Sequence, residues 1–194
     1  MCESGDHCHS RLGRVREDSS CGATGFIGPA LVLSLQRRGH TVVAWIRSPH
    51  RARAQLGEDV PLLSMETGDH ELANVLRQCQ AVITLAGEPL FGKGRSPSRN
   101  RALVESRVGL TSRLVSAMGL AERSRKVLIS SSAVSYYGDR VAEQLSEQSA
   151  PHTDFVAQLC RDWEDPAITA ATDGTRVVCL RLGMVLGHGA RCPP

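Results

Sequence analysis

The chain has 194 residues, 41% apolar and 22% charged, a composition that fits an α/β domain of ordinary size and excludes a disordered tail. A net charge of +3 with only 4% aromatics offers neither a polyanion-binding surface nor a base-stacking platform, so no nucleic-acid partner is expected. No run approaches the ~20 apolar residues of a membrane helix, and no apolar stretch follows the start as in a secretory signal, so no membrane partner is expected either.

Near the start, Cys2, His7, Cys8 and His9 gather four soft ligand types in a polar segment. They lack a second spaced pair, and no metal site is assigned to them. The seven cysteines follow no regular spacing, and Cys79 and Cys179 lie beside apolar runs. Reduced, structural thiols and a cytoplasmic location are expected.

The elements come in alternation. Ahead of Gly22 the chain reads RLGRVREDSSC, with no apolar run, so the first strand is expected to be missing or altered and residues 1–20 to be an atypical, disordered segment. The one alternating stretch there, residues 11–16, would carry three arginines into a sheet. Residues 26–38 set Ile27, Ala30, Leu31 and Leu35 near one helical face, with Pro29 in the first turn. Strands are predicted over 40–46 (HTVVAWI), 60–64, 81–86 (AVITLA), 126–131 and 175–182 (TRVVCLRL), and a long helix over 97–118. Strands apolar on both faces and separated by helices make a doubly wound parallel sheet, fold class α/β of the Rossmann type. A nucleotide-binding domain is assigned to residues 21–190, with 191–194 as a truncated tail and no substrate lobe behind it.

Gly22, Gly25 and Gly28 form a GxxGxxG pattern that opens the first helix. Glycines there permit a tight turn and a close backbone approach to a pyrophosphate, while the helix start offers free N–H groups. A plain glycine-rich loop is the alternative. At the end of the following strand an NAD site would carry an acid, whereas this chain has Arg47, then Ser48, Arg51 and Arg53. A cation suits a 2′-phosphate, which points to NADP rather than NAD; a solvated basic turn is the competing explanation. Gly87 to Lys93 imitates a P-loop, but Gly94 stands where Mg²⁺ binding needs a hydroxyl and Pro89 removes an N–H, so nucleotide hydrolysis is not expected.

In this order, GATGFIG, AVITLAGEP, ESRV, SSSAVSYYG, DFVAQLCRDWE and LRLGMVLG resemble one branch of the extended short-chain dehydrogenase/reductase superfamily, the NAD-dependent epimerase/dehydratase-like branch often labelled nucleoside-diphosphate-sugar epimerases. The resemblance covers about residues 21–189 and implies a chain truncated at both ends. It implies that Gly22, Gly25 and Gly28 hold the pyrophosphate, and Ile46 with Arg47 the adenosine end. Leu85, Ala86 and Gly87 would line the cofactor cleft, Arg107 would reach cofactor or substrate from one side, and Val185 would approach the nicotinamide. For Leu85, Ala86 and Val185, core packing is the other explanation.

Ser132 matches the catalytic serine and Tyr137 the tyrosine after the fifth strand, although a turn serine would also explain Ser132. The superfamily's Tyr-x-x-x-Lys is absent: Arg140 and Val141 lie four residues beyond the two tyrosines, and Phe155 to Leu159 stand where that helix should be. Trp163 and Glu164 either pack and cap their helix or face a substrate. The expected function is an NADP-binding oxidoreductase or epimerase-like protein acting on a small molecule, a sugar nucleotide or carbonyl compound. A non-catalytic NADP-binding regulatory module and an inactive fragment are the alternatives.

Overall fold

The computed structural model describes residues 17–90, 96–121 and 126–187. Six parallel strands make one sheet: β1 (Glu17–Cys21), β2 (Thr41–Ile46), β3 (Leu62–Ser64), β4 (Cys79–Thr84), β5 (Val127–Ala133) and β6 (Arg176–Leu182), in spatial order β3-β2-β1-β4-β5-β6. The order reverses between β1 and β4, and their carboxyl ends define the topological switch point.

The centre of the sheet is occupied, which corrects the expectation of an irregular segment there. β1 pairs with β2 from Glu17 opposite Thr41 through Cys21 opposite Trp45, and with β4 through Cys21 opposite Thr84. Its sequence, EDSSC, has no β-branched or aromatic residue, so propensity does not announce a strand. Two flanking strands supply backbone partners on both sides, and that tertiary demand outweighs side-chain preference. Residues 11–16, the other candidate for this strand, lie outside the described residues, as do Cys2, His7, Cys8, His9 and Lys93.

Alternation along β2 divides the core. Val42, Ala44 and Ile46 pack with Val32 of α1 (Gly28–Arg37) and Ala52 of α2 (Pro49–Leu56) on one face. Trp45 joins Leu72 and Leu76 of α3 (Asp69–Gln78), Val82, Leu114 of α5 (Leu110–Leu120), Leu128, and Ala167 of α6 (Phe155–Thr169) on the other. The predicted long helix runs as α4 (Pro97–Val104), a wide π turn at Glu105–Gly109, and α5. A π turn inserts one extra residue into the helical spiral and re-aims the side chains it carries.

Lys126 fastens the second layer. Its Nζ is buried and donates to the carbonyls of Leu76 (2.6 Å), Cys79 (3.0 Å) and Arg77 (3.4 Å), a cation on the C-terminal carbonyls of α3. Burial pulls its pKa below the usual lysine range.

Candidate functional site

The glycine loop leaves β1 and turns at once. Gly22 has φ +84°, and a Cβ there would lie 2.7 Å from Ala86 N and 2.8 Å from Leu85 C, so β1 and β4 hand their loops to one another with no room for a side chain. A Cβ on Gly28 would lie 2.2 Å from Ala23 O, which seats the start of α1 on the loop. Gly25 is exposed and donates to Gly22 O at 2.9 Å, closing the turn between them.

The α1 N-terminus, like that of α3, has no side-chain cap, whereas Ser48 caps α2, Ser96 caps α4, and Asp154 caps α6 by accepting from Val156 and Ala157 N–H. Pro29 gives up one donor, and the N–H groups of Gly28 and Ala30 have no intrahelical acceptor. They point toward the end of the sheet where the strand order reverses.

Past β2, Arg47 is exposed, while Ile46 is 3% exposed and its side chain belongs to the core. Arg51 reaches from α2 to Thr24 O at 3.4 Å, beside the glycine loop. Arg53 turns the other way, to the carbonyls of Glu58 (2.7 Å) and Val60 (2.9 Å), and so leaves the basic cluster read from the sequence.

After β4, Leu85 and Ala86 are half-buried and Gly87 is exposed. Arg107, on the π turn, is buried behind them: it donates to Glu88 O at 2.9 Å and to Leu103 O at 3.4 Å, and stacks 5.1 Å from the Trp163 ring centre. Its neighbour Ser106 accepts from Glu88 N at 3.1 Å. Burial lowers the Arg107 pKa. The guanidinium thus braces the loop from the protein side through Nη1 and Nη2.

At the end of β5 three serines are buried. Ser131 Oγ donates to Thr84 O at 2.9 Å, tying β5 to β4. Thr84 Oγ1 is buried without a hydrogen-bond partner, and Ser132 Oγ is buried with no partner beyond the Cys160 thiol. A native hydroxyl in that state costs ~1–3 kcal/mol unless a bound group satisfies it. Cys160 of α6 neighbours Ser132, and burial pushes its thiol up; burial pushes the Cys179 thiol up to about 11. Both sulfurs are free and neutral near pH 7, so neither is primed as a nucleophile.

The chain then enters a 3-10 turn, Val134–Tyr137, where the two tyrosine rings meet edge to face at 5.2 Å and 77°. The Tyr137 side chain is buried, and its oxygen accepts from Arg181 Nη1 of β6 at 2.7 Å. Arg181 also grips Glu164 of α6 through Nε and Nη2, both at 2.8 Å. Glu164 therefore neither caps its helix nor faces open solvent, and Trp163 is a packing residue whose Nε1 donates to Thr111 Oγ1 at 3.2 Å. The sequence leaves Glu164 between packing and facing a substrate and gives Arg181 no role; the one signal for Arg181 is an arginine inside the apolar run VVCLRL.

Beyond β6, Val185 is 42% exposed on a segment that returns toward the glycine loop, where a Cβ on Gly187 would meet the Phe26 ring at 3.1 Å. Among the described residues no group of three or more His, Cys, Asp or Glu side chains could hold a metal ion, and no helix is long and apolar enough to cross a membrane. The tight glycine turn, the uncapped helix start and two buried hydroxyls without an oxygen or nitrogen partner at one end of the sheet fit a dinucleotide.

A doubly wound parallel sheet with a glycine loop at its switch point defines a Rossmann-type dinucleotide-binding fold. The sequence pattern of the NAD dependent epimerase/dehydratase family matches residues 21–193, and the chain belongs to that family. It is 34% identical over 183 residues to the Arabidopsis thaliana epimerase family protein SDR39U1 homolog, chloroplastic, covering 93% of this chain and 52% of that one. Human epimerase family protein SDR39U1 (isoform 2), solved with NADPH, is 30% identical with a TM-score of 0.73, over 90% of this chain and 56% of that one. MoeE5, solved in complex with UDP-glucuronic acid and NAD, is 26% identical with a TM-score of 0.67, over 85% of this chain and 54% of that one. The chain spans about half the length of the curated relatives it matches.

Proposed function

We propose that this chain binds NADP as an oxidoreductase or epimerase-like protein whose substrate is a small carbonyl compound or sugar nucleotide. The observation that carries the reading is the buried hydroxyl of Ser132, which meets only the Cys160 thiol, at the end of β5 and next in the sheet to the end of β4. Gly22, Gly25 and Gly28 shape the loop so that the pyrophosphate reaches the free N–H groups opening α1, Ile46 contributes backbone at the adenosine end, and exposed Arg47 meets the 2′-phosphate. Leu85, Ala86 and Gly87 form the facing wall, Arg107 holds that wall in place, and Val185 approaches the nicotinamide ring. The human relative solved with NADPH supports this choice of nucleotide, and the complex of MoeE5 with UDP-glucuronic acid supports the sugar-nucleotide class. The thiols of Cys160 and Cys179 suit a reducing compartment such as the cytoplasm.

When bound, NADP supplies the hydride donor or acceptor. The chain's own part is proton management at the substrate oxygen. Ser132 donates a hydrogen bond to it, and Tyr137 gives or takes the proton as the carbon changes oxidation state. Both act on charge that develops during reaction, so they contribute to turnover and little to nucleotide affinity. A second reading, a nucleotide-binding regulatory module without turnover, is favoured by one residue: Val141, four beyond Tyr137 in place of lysine, is 98% exposed.

NADPH titration followed by NADPH consumption with a panel of carbonyls and sugar nucleotides separates the two. Ser132→Ala and Tyr137→Phe are expected to slow consumption by about tenfold or more while NADPH affinity stays within about twofold. Binding without consumption across the panel selects the regulatory module. Variants that turn over like the parent place the acid/base group elsewhere.

A further inference from the structure

The Arg181–Glu164 pair touches the tyrosine to which the proposed reaction assigns the proton, and it enters from a strand and a helix that carry no other assigned role. The Glu164 side chain is 5% exposed and that of Arg181 is 19% exposed. Glu164 takes two parallel bonds at 2.8 Å, which locks the guanidinium plane, and the guanidinium carbon lies 3.5 Å from the Tyr136 ring centre. Nη1 is thereby aimed at Tyr137 Oη (2.7 Å) and Glu147 O (3.1 Å). The hydrogen bonds to Glu164 hold Arg181 firmly protonated.

A guanidinium has donors and no acceptor. The Tyr137 oxygen can therefore only accept from Arg181, and its own proton must point to something else. Among the described residues that proton has no acceptor within hydrogen-bond range. In the β5–β6 ladder Arg181 stands opposite Ser132, so one residue of β6 bonds to Tyr137 and pairs with the strand position of Ser132.

We infer that Arg181, oriented by Glu164, is a positioning residue that fixes the polarity of the Tyr137 hydroxyl and turns its proton toward the substrate oxygen. The inference rests on the reading of Tyr137 as the proton-moving group. It assigns to a strand residue, across the sheet, the orienting cation that the superfamily draws from four residues along a helix. The positioning role needs this polarity of the Tyr137 bond, and a guanidinium admits no other.

The chain has two tyrosines, so Tyr136→Phe leaves Tyr137 alone in the spectrum. The intensity ratio of the tyrosine Raman doublet then reports whether the phenol oxygen accepts or donates. The full chain carrying Tyr136→Phe is expected to give the acceptor-type ratio. Adding Arg181→Met together with Glu164→Gln, which avoids stranding a buried carboxylate, is expected to abolish it, with NADPH affinity within about twofold as the check on folding. A donor-type ratio in Tyr136→Phe, which needs no change at Arg181, overturns the inference, as does an acceptor-type ratio that survives the double change. The doublet is read without turnover. A donor-type ratio therefore removes the positioning role even where Tyr137→Phe abolishes NADPH consumption, and an active Tyr137→Phe removes the proton-transfer reading even where the ratio is of acceptor type.

Discussion

The glycine loop and the serine–tyrosine turn follow the carboxyl ends of strands in one sheet, yet they are built from different parts of the chain. Between residues 22 and 28 the working groups are backbone N–H donors, and the side chains matter chiefly by being absent at Gly22 and Gly28. Between residues 130 and 137 the working groups are hydroxyls, and their setting is assembled from β4, α6 and β6 by Thr84, Cys160, Glu164 and Arg181. A backbone site tolerates exchange of its neighbours and fails on one added carbon. A side-chain site depends on residues far along the chain, and fails by degrees.

Gly22→Val gives the sharpest break. It adds carbons against the backbone of Leu85 and Ala86 at a φ of +84°. About 4 kcal/mol of stability should be lost from strain and overpacking together, and any folded fraction should no longer bind NADPH, read by a melt and a nucleotide titration. Retained binding would remove the loop from the nucleotide site.

Glu164→Leu tests the other region. It leaves Arg181 half-buried without its carboxylate and should cost about 3 kcal/mol in a denaturant titration. NADPH affinity below the transition should stay unchanged, because no bond of that network reaches the glycine loop. A parallel loss of affinity would mean that the two regions are one unit.

Arg47→Asp acts on nucleotide choice alone. The parent should prefer NADPH to NADH by at least about tenfold, ~1.4 kcal/mol, and the variant should lose or reverse that preference. Equal dissociation constants for the two nucleotides in the parent would exclude a 2′-phosphate contact at this strand end.

Asp154→Ala is the mildest change. Bonds from the Ala157 N–H, and from His152 and the Val156 N–H, hold the Asp154 carboxyl below its ordinary value of 3.8. A depressed carboxylate stabilises the fold above that ordinary value and loses the effect as pH falls through its folded pKa. Removing this cap should cost ~1 kcal/mol near neutral pH. The gap between parent and variant should narrow below about pH 4; a gap that is independent of pH would show that the cap contributes no charge.

The same contrast decides what the sequence discloses. The glycine loop is legible because L side chains are excluded at Gly22 by conformation and contact, and the pattern survives as letters. Of the five strands after it, four are legible from their β-branched residues, and β3 from the short apolar run VPLLS. β1 is hidden because its place is set by partners on both sides and not by EDSSC. Arg107 is visible as a residue, yet its direction is not, since the π turn at Glu105–Gly109 re-aims it toward Glu88 O. Glu164 and Arg181 meet only once α6 and β6 are packed, and no local spacing foretells a bond between them.

Lys126 also bears on how the protein can be handled. The chain holds 23 cationic side chains, of which only Lys93 and Lys126 carry a primary amine. The amine of Lys126 is shut behind the carbonyls of Leu76, Arg77 and Cys79. Amine-directed dyes, cross-linkers and acylating reagents therefore have no access to it in the native fold. A covalent tag found at residue 126 records a molecule in which α3 and β5 had already come apart, a permanent mark of opening events too brief for an optical signal.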